Sequence, residues 1–333
     1  MLTVEVQGPW FEELSIGREF SAPPVTLTEG HACFYQALFG DRMRLPLDHE
    51  ACRAVTRHPA PLAHPLLVAN VAIGQTTWAS QRVKANLGYR GLLFERPVHL
   101  GDTLSTRTRV VARRPNRARQ DRPSTGVVAL ESTTWNQRGE TVLHLWRFPM
   151  IAARLETVPG ATETDLEQVG AEVTREALLE ALPKWNTSVL HASSGEKSGL
   201  EAGTRFKVCA RDSVTATAEF VRLTLNMAAV HSDPAASHLG SRLVYGGHVI
   251  SMAFAQVTRA LPDLLTMVAW SRCDHLAPVF EGDCLRTEVE VQERTPLSLG
   301  SLVALRTECF AKRASEDGEA RVLDWTFFAW SLQ

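Results

Sequence analysis

The sequence predicts an α+β protein made of two copies of one unit, in each of which an antiparallel sheet wraps a single buried helix. Three observations carry this reading. The chain has 333 residues, enough for two domains of about 150 residues each. Residues of the first half recur in order in the second. Each half also holds one helix-length run that is apolar nearly all round, followed by segments in which apolar and polar residues alternate.

The repeat is read by laying Phe34-Tyr-Gln-Ala-Leu-Phe-Gly-Asp41 over Glu219-Phe-Val-Arg-Leu-Thr-Leu-Asn226. Tyr35 then meets Phe220, Leu38 meets Leu223, Asp41 meets Asn226 and Asp48 meets Asp233, all at one offset. At a slightly changed offset Gln75 meets Gln256, and Pro97-Val98-x-x-Gly101-Asp102-x-Leu104 meets Pro278-Val279-x-x-Gly282-Asp283-x-Leu285. The order and near-constant spacing mark a duplication.

Each half opens on a segment ending in a Gly turn, Leu14-x-x-Gly17 or Leu200-x-x-Gly203. An amphipathic helix is predicted next, Thr28 to Phe39 and Val214 to Leu225. The apolar runs Leu66 to Trp78 and His248 to Leu261 read as buried helices. Thr103 to Val111 and Leu285 to Gln292 have period 2 with polar residues facing water, and the turns Gly101-Asp102 and Gly282-Asp283 feed them. The expected domains are 1–154 and 196–333, with 155–195, which has no counterpart in the first half, as a linker carrying a short helix.

Composition narrows the function classes. With 44% apolar and 22% charged residues and a net charge of −2, the chain has no general pull toward nucleic acid or anionic membrane. No apolar run approaches the roughly 18 residues of a membrane span. The N-terminal residues lack a basic and an apolar region, so no signal peptide is expected. Cys33, Cys52, Cys209, Cys273, Cys284 and Cys309 are scattered, without a CxxC pair or zinc spacing, as free thiols in a reducing compartment would be. The expectation is a cytoplasmic protein acting on a small molecule, without metal or redox cofactor.

Arg242-Leu-Val-Tyr-Gly-Gly-His-Val-Ile-Ser251, preceded by Asn226-x-Ala-x-Val-His231-x-Asp233, resembles the MaoC-like (R)-hydratase family, and within it the double-hotdog mesaconyl-CoA hydratase/β-methylmalyl-CoA dehydratase group. Asn86-Leu-Gly-Tyr89, the two Pro-Val-x-x-Gly-Asp segments and His275-x-Ala-Pro-x-Phe280 resemble that group too. Ala63-His-Pro, Ala72-Ile-Gly-Gln, Gln81-Arg-Val-Lys-Ala-Asn-Leu and Leu323-Asp-Trp are similar to a mycobacterial double-hotdog protein. The resemblance implies a tandem hotdog fold and reversible hydration of a 2-enoyl-CoA to a 3-hydroxyacyl-CoA, with coenzyme A entering only as part of the substrate. A tandem hotdog already supplies the pairing that single hotdogs obtain by dimerising, which leaves a monomer and a homodimer open.

The resemblance also implies a site. In the family an Asp and a His five residues later hold a water against the enoyl thioester, and a backbone N–H at the start of the buried helix binds the thioester oxygen. A base near neutral pKa and a preorganised donor for the developing enolate are what the reaction needs. In the second half His231 stands at the His position and Gly246 and Gly247 open the helix. In the first half the same places hold Pro46 and Pro65, which can neither carry a proton nor offer an N–H, so that half is expected to be inactive. Asn226 replaces the Asp; an amide orients a water but is no base, so His231 carries both proton transfers. Asp233 is a possible partner of His231 or, before Pro234, a helix cap. Gly246 and Gly247 serve either the thioester oxygen or close helix packing. Tyr245 and His275 are candidate pocket walls, and Asp41 is a relic.

For the coenzyme A phosphates Arg82, Lys84, Arg107 and Arg109 are candidates. Arg107, Arg109, Arg113, Arg114, Arg117, Arg119 and Arg122 also read as a solvated hairpin tip. Two alternatives to a hydratase stay open: a non-catalytic acyl-CoA or lipid-binding protein, and an acyl-CoA thioesterase.

Overall fold

The computed structural model describes residues 2–117, 123–154, 165–170, 172–191 and 200–332. The first half runs β1 (Glu19–Ser21), β2 (Val25–Thr26), α1 (Glu29–Phe39), α2 (Arg44–Leu47), α3 (His49–Thr56), α4 (Pro65–Thr76), β3 (Val83–Phe94), β4 (Thr103–Pro115), β5 (Thr125–Trp135) and β6 (Thr141–Ala152). The intervening segment contributes α5 (Arg175–Ala181). The second half repeats the plan with β7 (Arg205–Lys207), β8 (Asp212–Ser213), α6 (Thr217–Leu223), α7 (Gly246–Ala260), β9 (Leu264–His275), β10 (Cys284–Pro296), β11 (Ser301–Lys312) and β12 (Ala320–Ser331). This is the α+β double hotdog. Its strands form one antiparallel sheet in the order β1-β4-β5-β6-β3-β9-β12-β11-β10-β7, with β2 on β4 and β8 on β10.

The two sheets join where β3 pairs β9, Gly88 opposite Asp274 through Leu93 opposite Ala269. Inside the curve lie the two apolar runs. Every residue of α4 is buried, as are Gly247 through Thr258 of α7, and one hydrophobic cluster includes both helices. Each helix is tied to its sheet by the glutamine of the repeat: Gln75 donates to the Leu104 carbonyl at 3.0 Å, and Gln256 to that of Leu285 at 2.9 Å. The predicted turns are equally symmetric. Gly101 and Gly282 take φ of 99° and 93°, where a side chain would be strained, and Asp102 and Asp283 accept from the His99 and Phe280 N–H groups.

The helix predicted over Val214 to Leu225 is shorter than expected. Val214 exchanges backbone hydrogen bonds with Asp283 and Gly282, which leaves it unavailable to a helix, and Ala216 and Leu225 sit at positive φ. Helices α2 and α3 are additional to the elements expected from the sequence; Pro46 falls inside α2, and Asp48 caps α3 by accepting from the Ala51 N–H. The six cysteines are free thiols, and no helix among the described residues is long and apolar enough to cross a membrane.

The two buried helices approach closely around Asn70. Asn70 of α4 donates to the Ser251 hydroxyl of α7 at 3.2 Å, and a Cβ on Gly247 would lie 1.8 Å from the Asn70 Oδ1 and 2.6 Å from the Tyr245 ring. Gly247 is therefore fixed by helix packing. Gly247→Ala should cost about 1–3 kcal/mol of stability, since Asn70 can yield only by breaking buried hydrogen bonds. Urea unfolding measures this, and an unchanged midpoint would contradict it.

Candidate active site

A cleft of about 300 Å³ opens between the halves. Asn226 and His231 enter it from the loop after α6, Tyr245 and Gly246 from the start of α7, and His275 from the end of β9. The first half supplies the facing wall: Lys84, Asn86 and Tyr89 on β3 and Arg147 on β6. The structure thus brings Asn226, His231, Tyr245, Gly246 and His275 together, as the sequence placed them, while Gly247 faces α4 instead.

The symmetry-related place in the first half is nearly closed, at about 30 Å³. Leu62, Ala63, Pro65 and Val68 stand there where Leu243, Val244, Gly246 and Val249 stand in the open cleft, and Phe94 stands in for His275. Ala181 and Pro183 of the intervening segment fill the remaining space. Asp41, the counterpart of Asn226, is buried 3.3 Å from the His64 imidazole and lines neither of these two places.

His231 closes a 3₁₀ turn, Ala229–His231, and its Nδ1 lies 2.8 Å from the Leu243 carbonyl. A carbonyl only accepts, so Nδ1 carries the proton and donates, leaving Nε2 with a free lone pair. Nε2 has no protein partner among the described residues. Burial pushes the His231 pKa down to about 4, the Leu243 hydrogen bond opposes this, and the charge of Arg147 adds to the depression. His231 is a neutral imidazole with a fixed tautomer.

Asn226 accepts from the Ala228 N–H at 2.9 Å, so its amide NH₂ is the group it can offer the cleft. The loop carrying it is held by the first half. Met227 N–H donates to the Thr77 hydroxyl at 3.0 Å and Ala229 N–H to the Gln81 carbonyl at 3.3 Å. Gly74 of α4 lies so close beneath that a Cβ there would come within 1.7 Å of the Thr224 carbonyl oxygen.

Asp233 is exposed and caps the next turn by accepting from the Ala235 N–H at 2.9 Å; the partner of His231 is Leu243. Of the basic candidates, Lys84 lines the cleft and, with Arg117 and His238, a neighbouring hollow of about 490 Å³. Arg82 donates to the Gly8 carbonyl and lies over the Trp10 ring. Arg107 and Arg109 face solvent on β4, paired with Glu19 and Glu131, and do not line the cleft. Arg119 and Arg122 lie outside the described residues.

Sequence reading missed Arg147. It is 3% exposed, donates to the Thr76 carbonyl and the Ser80 hydroxyl, leaves Nε without a partner, and has no carboxylate partner among the described residues. Its signal was available: Leu143, Leu145 and Arg147 share the inward face of β6 by period 2, and Phe327 is the counterpart on β12.

No family model matches the chain. The β-methylmalyl-CoA dehydratase of Chloroflexus aurantiacus is 32% identical over 300 residues, 85% of this chain and 82% of that protein. The mesaconyl-CoA hydratase of Cereibacter sphaeroides is 30% identical over 328 residues, 94% of each. The chain belongs to the MaoC-like hydratase/dehydratase family. A structure from Mycobacterium tuberculosis, a conserved hypothetical protein with a double hotdog fold, matches this MaoC-like chain with a TM-score of 0.91 at 42% identity, covering 98% of this chain and 99% of that one.

Burial also holds His248 and His275 down to about 4, so with His231 three imidazoles stay neutral in the folded state well below the usual 6.5. Between pH 6.5 and 4 the unfolded chain takes protons that the folded one refuses, so stability falls with acid, by about 1.4 kcal/mol per pH unit for each such His. The loss levels off below the folded pKa. Denaturant unfolding across this range should show a slope that drops by one proton in His248→Leu; an unchanged slope would refute the depressed pKa of that residue.

Proposed function

We propose that the protein reversibly adds water to a 2-enoyl-CoA, giving a 3-hydroxyacyl-CoA, at a single site, the cleft to which the second half contributes His231. The observation that carries this is the free Nε2 of His231, presented by a locked tautomer beside the first N–H groups of α7. The Asn226 amide orients the water, whose proton passes to Nε2 as its oxygen bonds to the β-carbon. The thioester oxygen takes up negative charge near the start of α7, where unpaired backbone N–H groups and the helix dipole favour an anion. That enolate supplies the counter-charge that the described lining residues do not give the imidazolium. The imidazolium then returns its proton to the α-carbon. In the reverse direction the same groups expel water. The adjoining hollow with Lys84, Arg117 and His238 suits the polar end of coenzyme A.

Among the described residues the lining of the cleft includes no Asp or Glu, and Arg147 is buried there without a carboxylate partner. A buried cation is costly unless paired. This supports an acyl group bearing its own carboxylate, in keeping with the substrates for which the two curated relatives are named.

His231→Ala should lower turnover about 10²–10⁴-fold. For the wild type, kcat/KM should stay flat from pH 8 to about 5 and fall only toward pH 4, where the free-enzyme imidazole takes its proton. An acid limb near 6.5, or a fully active His231→Ala, would overturn the assignment. Arg147→Met should remove the advantage of mesaconyl-CoA over crotonyl-CoA, a change of about 10²-fold or more in the ratio of kcat/KM. A ratio that survives the substitution would exclude a carboxylate contact at Arg147.

A further inference from the structure

We propose that His275 is a catalytic residue, donating from Nε2 the second hydrogen bond that, with the Gly246 N–H, holds the thioester oxygen. This rests on the hydratase reading and adds a group to it. The His275 Nε2 has no hydrogen-bond partner among the described residues although it is covered from solvent, and it lies 2.4 Å from where a Cβ on residue 246 would be. Only glycine permits that approach. Covalent geometry then puts the Gly246 nitrogen within about 5 Å of Nε2. An oxygen roughly 2.9 Å from each donor fits between two groups so spaced. Gly246 is the first residue of α7, whose N–H has no acceptor within the helix.

The other half of the molecule is an internal control. Where the open cleft has Gly246 and His275, the closed one has Pro65 and Phe94, a residue without an N–H and a ring without a nitrogen. Both donors are absent together from the half that has also lost the His231 position, as expected if the two act on one atom. Phe94 shows too that the fold accepts an apolar ring there, so packing alone does not call for histidine.

The charge state suits the role. Burial and the neighbouring His231 keep His275 neutral, with Asp274 opposing them. A neutral imidazole with its proton on Nε2 donates without giving the proton up. During hydration the water proton goes to His231, the π electrons move onto the thioester oxygen between Gly246 and His275, and the α-carbon recovers the proton from His231. His275 is unchanged at the end.

The test compares wild type with His275→Phe, which copies the closed half, and His275→Gln, which keeps a donor. On an enoyl-CoA that the wild type hydrates, the Phe variant should lose about 10²–10³-fold in kcat with little change in KM, and the Gln variant should recover at least tenfold of it. The acid limb set by His231 should not move. Binding supplies an independent readout: cinnamoyl-CoA should show a red-shifted absorbance, from polarisation of its thioester carbonyl, in wild type and Gln variant but not in the Phe variant. Should the Phe variant not fold, His275→Leu serves the same comparison. A Phe variant with kcat within threefold of wild type, or with the full red shift, overturns the assignment. A wild type that hydrates no enoyl-CoA defeats the hydratase reading, and the absorbance comparison then decides the role of His275 alone.

Discussion

The pairing of β3 with β9 is the constraint on which the rest depends. Neither half can finish a cleft alone: the loop with Asn226 and His231 belongs to the second half, while the wall it faces, Tyr89 and Arg147, belongs to the first. The seam makes the two sheets one, and its closeness is set by backbone. A Cβ on Gly88 would meet the Cys273 carbonyl oxygen at 2.4 Å, so the strands approach there as only glycine allows. With the seam fixed, α4 and α7 are pressed together inside the curve, and the register of β3 and β6 determines which first-half side chains reach the second-half loop.

Duplication within one chain also releases the copies from equivalence. Two identical hotdogs would form two like clefts, whereas here one closes as Pro65, Phe94, Ala181 and Pro183 occupy it. The half that lost its cleft became a support for the other. Thr77 accepts from the loop, Gly74 lets that loop lie directly on α4, and Arg147 stands where Phe327 stands in the opposite sheet. Such a division is open only to a chain whose halves can change separately.

Most of the fold was legible because its determinants are local. Apolar runs of helical length, period-2 strands and the Gly-Asp turns each state their own conformation, and their recurrence states the duplication. The position of His231 was legible for the same reason, through its spacing from Asn226 and the Gly-Gly pair. What was not legible depends on contacts across the seam. The split between Gly246, which meets His275, and Gly247, which meets Asn70, requires knowing how α7 lies on α4. Of the two readings of Asp233, the cap before Pro234 is the one the structure has, and the Leu243 carbonyl takes the place of a partner to His231. The basic residues of β4 looked available for phosphate, but cross-strand Glu19 and Glu131 pair two of them.

The exchange of Asp for Asn at 226 takes on meaning from this electrostatic setting. The cleft contains a buried guanidinium and neutral imidazoles, and no acid is among its described lining residues. A carboxylate at 226 would share this low-dielectric space with Arg147 and His231, drawing the first into an internal pair and raising the pKa of the second. On the reading proposed above, both effects would lower the demand for an anionic substrate. An amide of nearly the same shape orients a water while leaving that demand intact. On the hydratase reading, the negative charge needed to stabilise the imidazolium of His231 then comes from the substrate, as the enolate forms and from its own carboxylate. On that reading the loss of an acid from the dyad is compatible with catalysis, because the charge it would have carried arrives with the reactant.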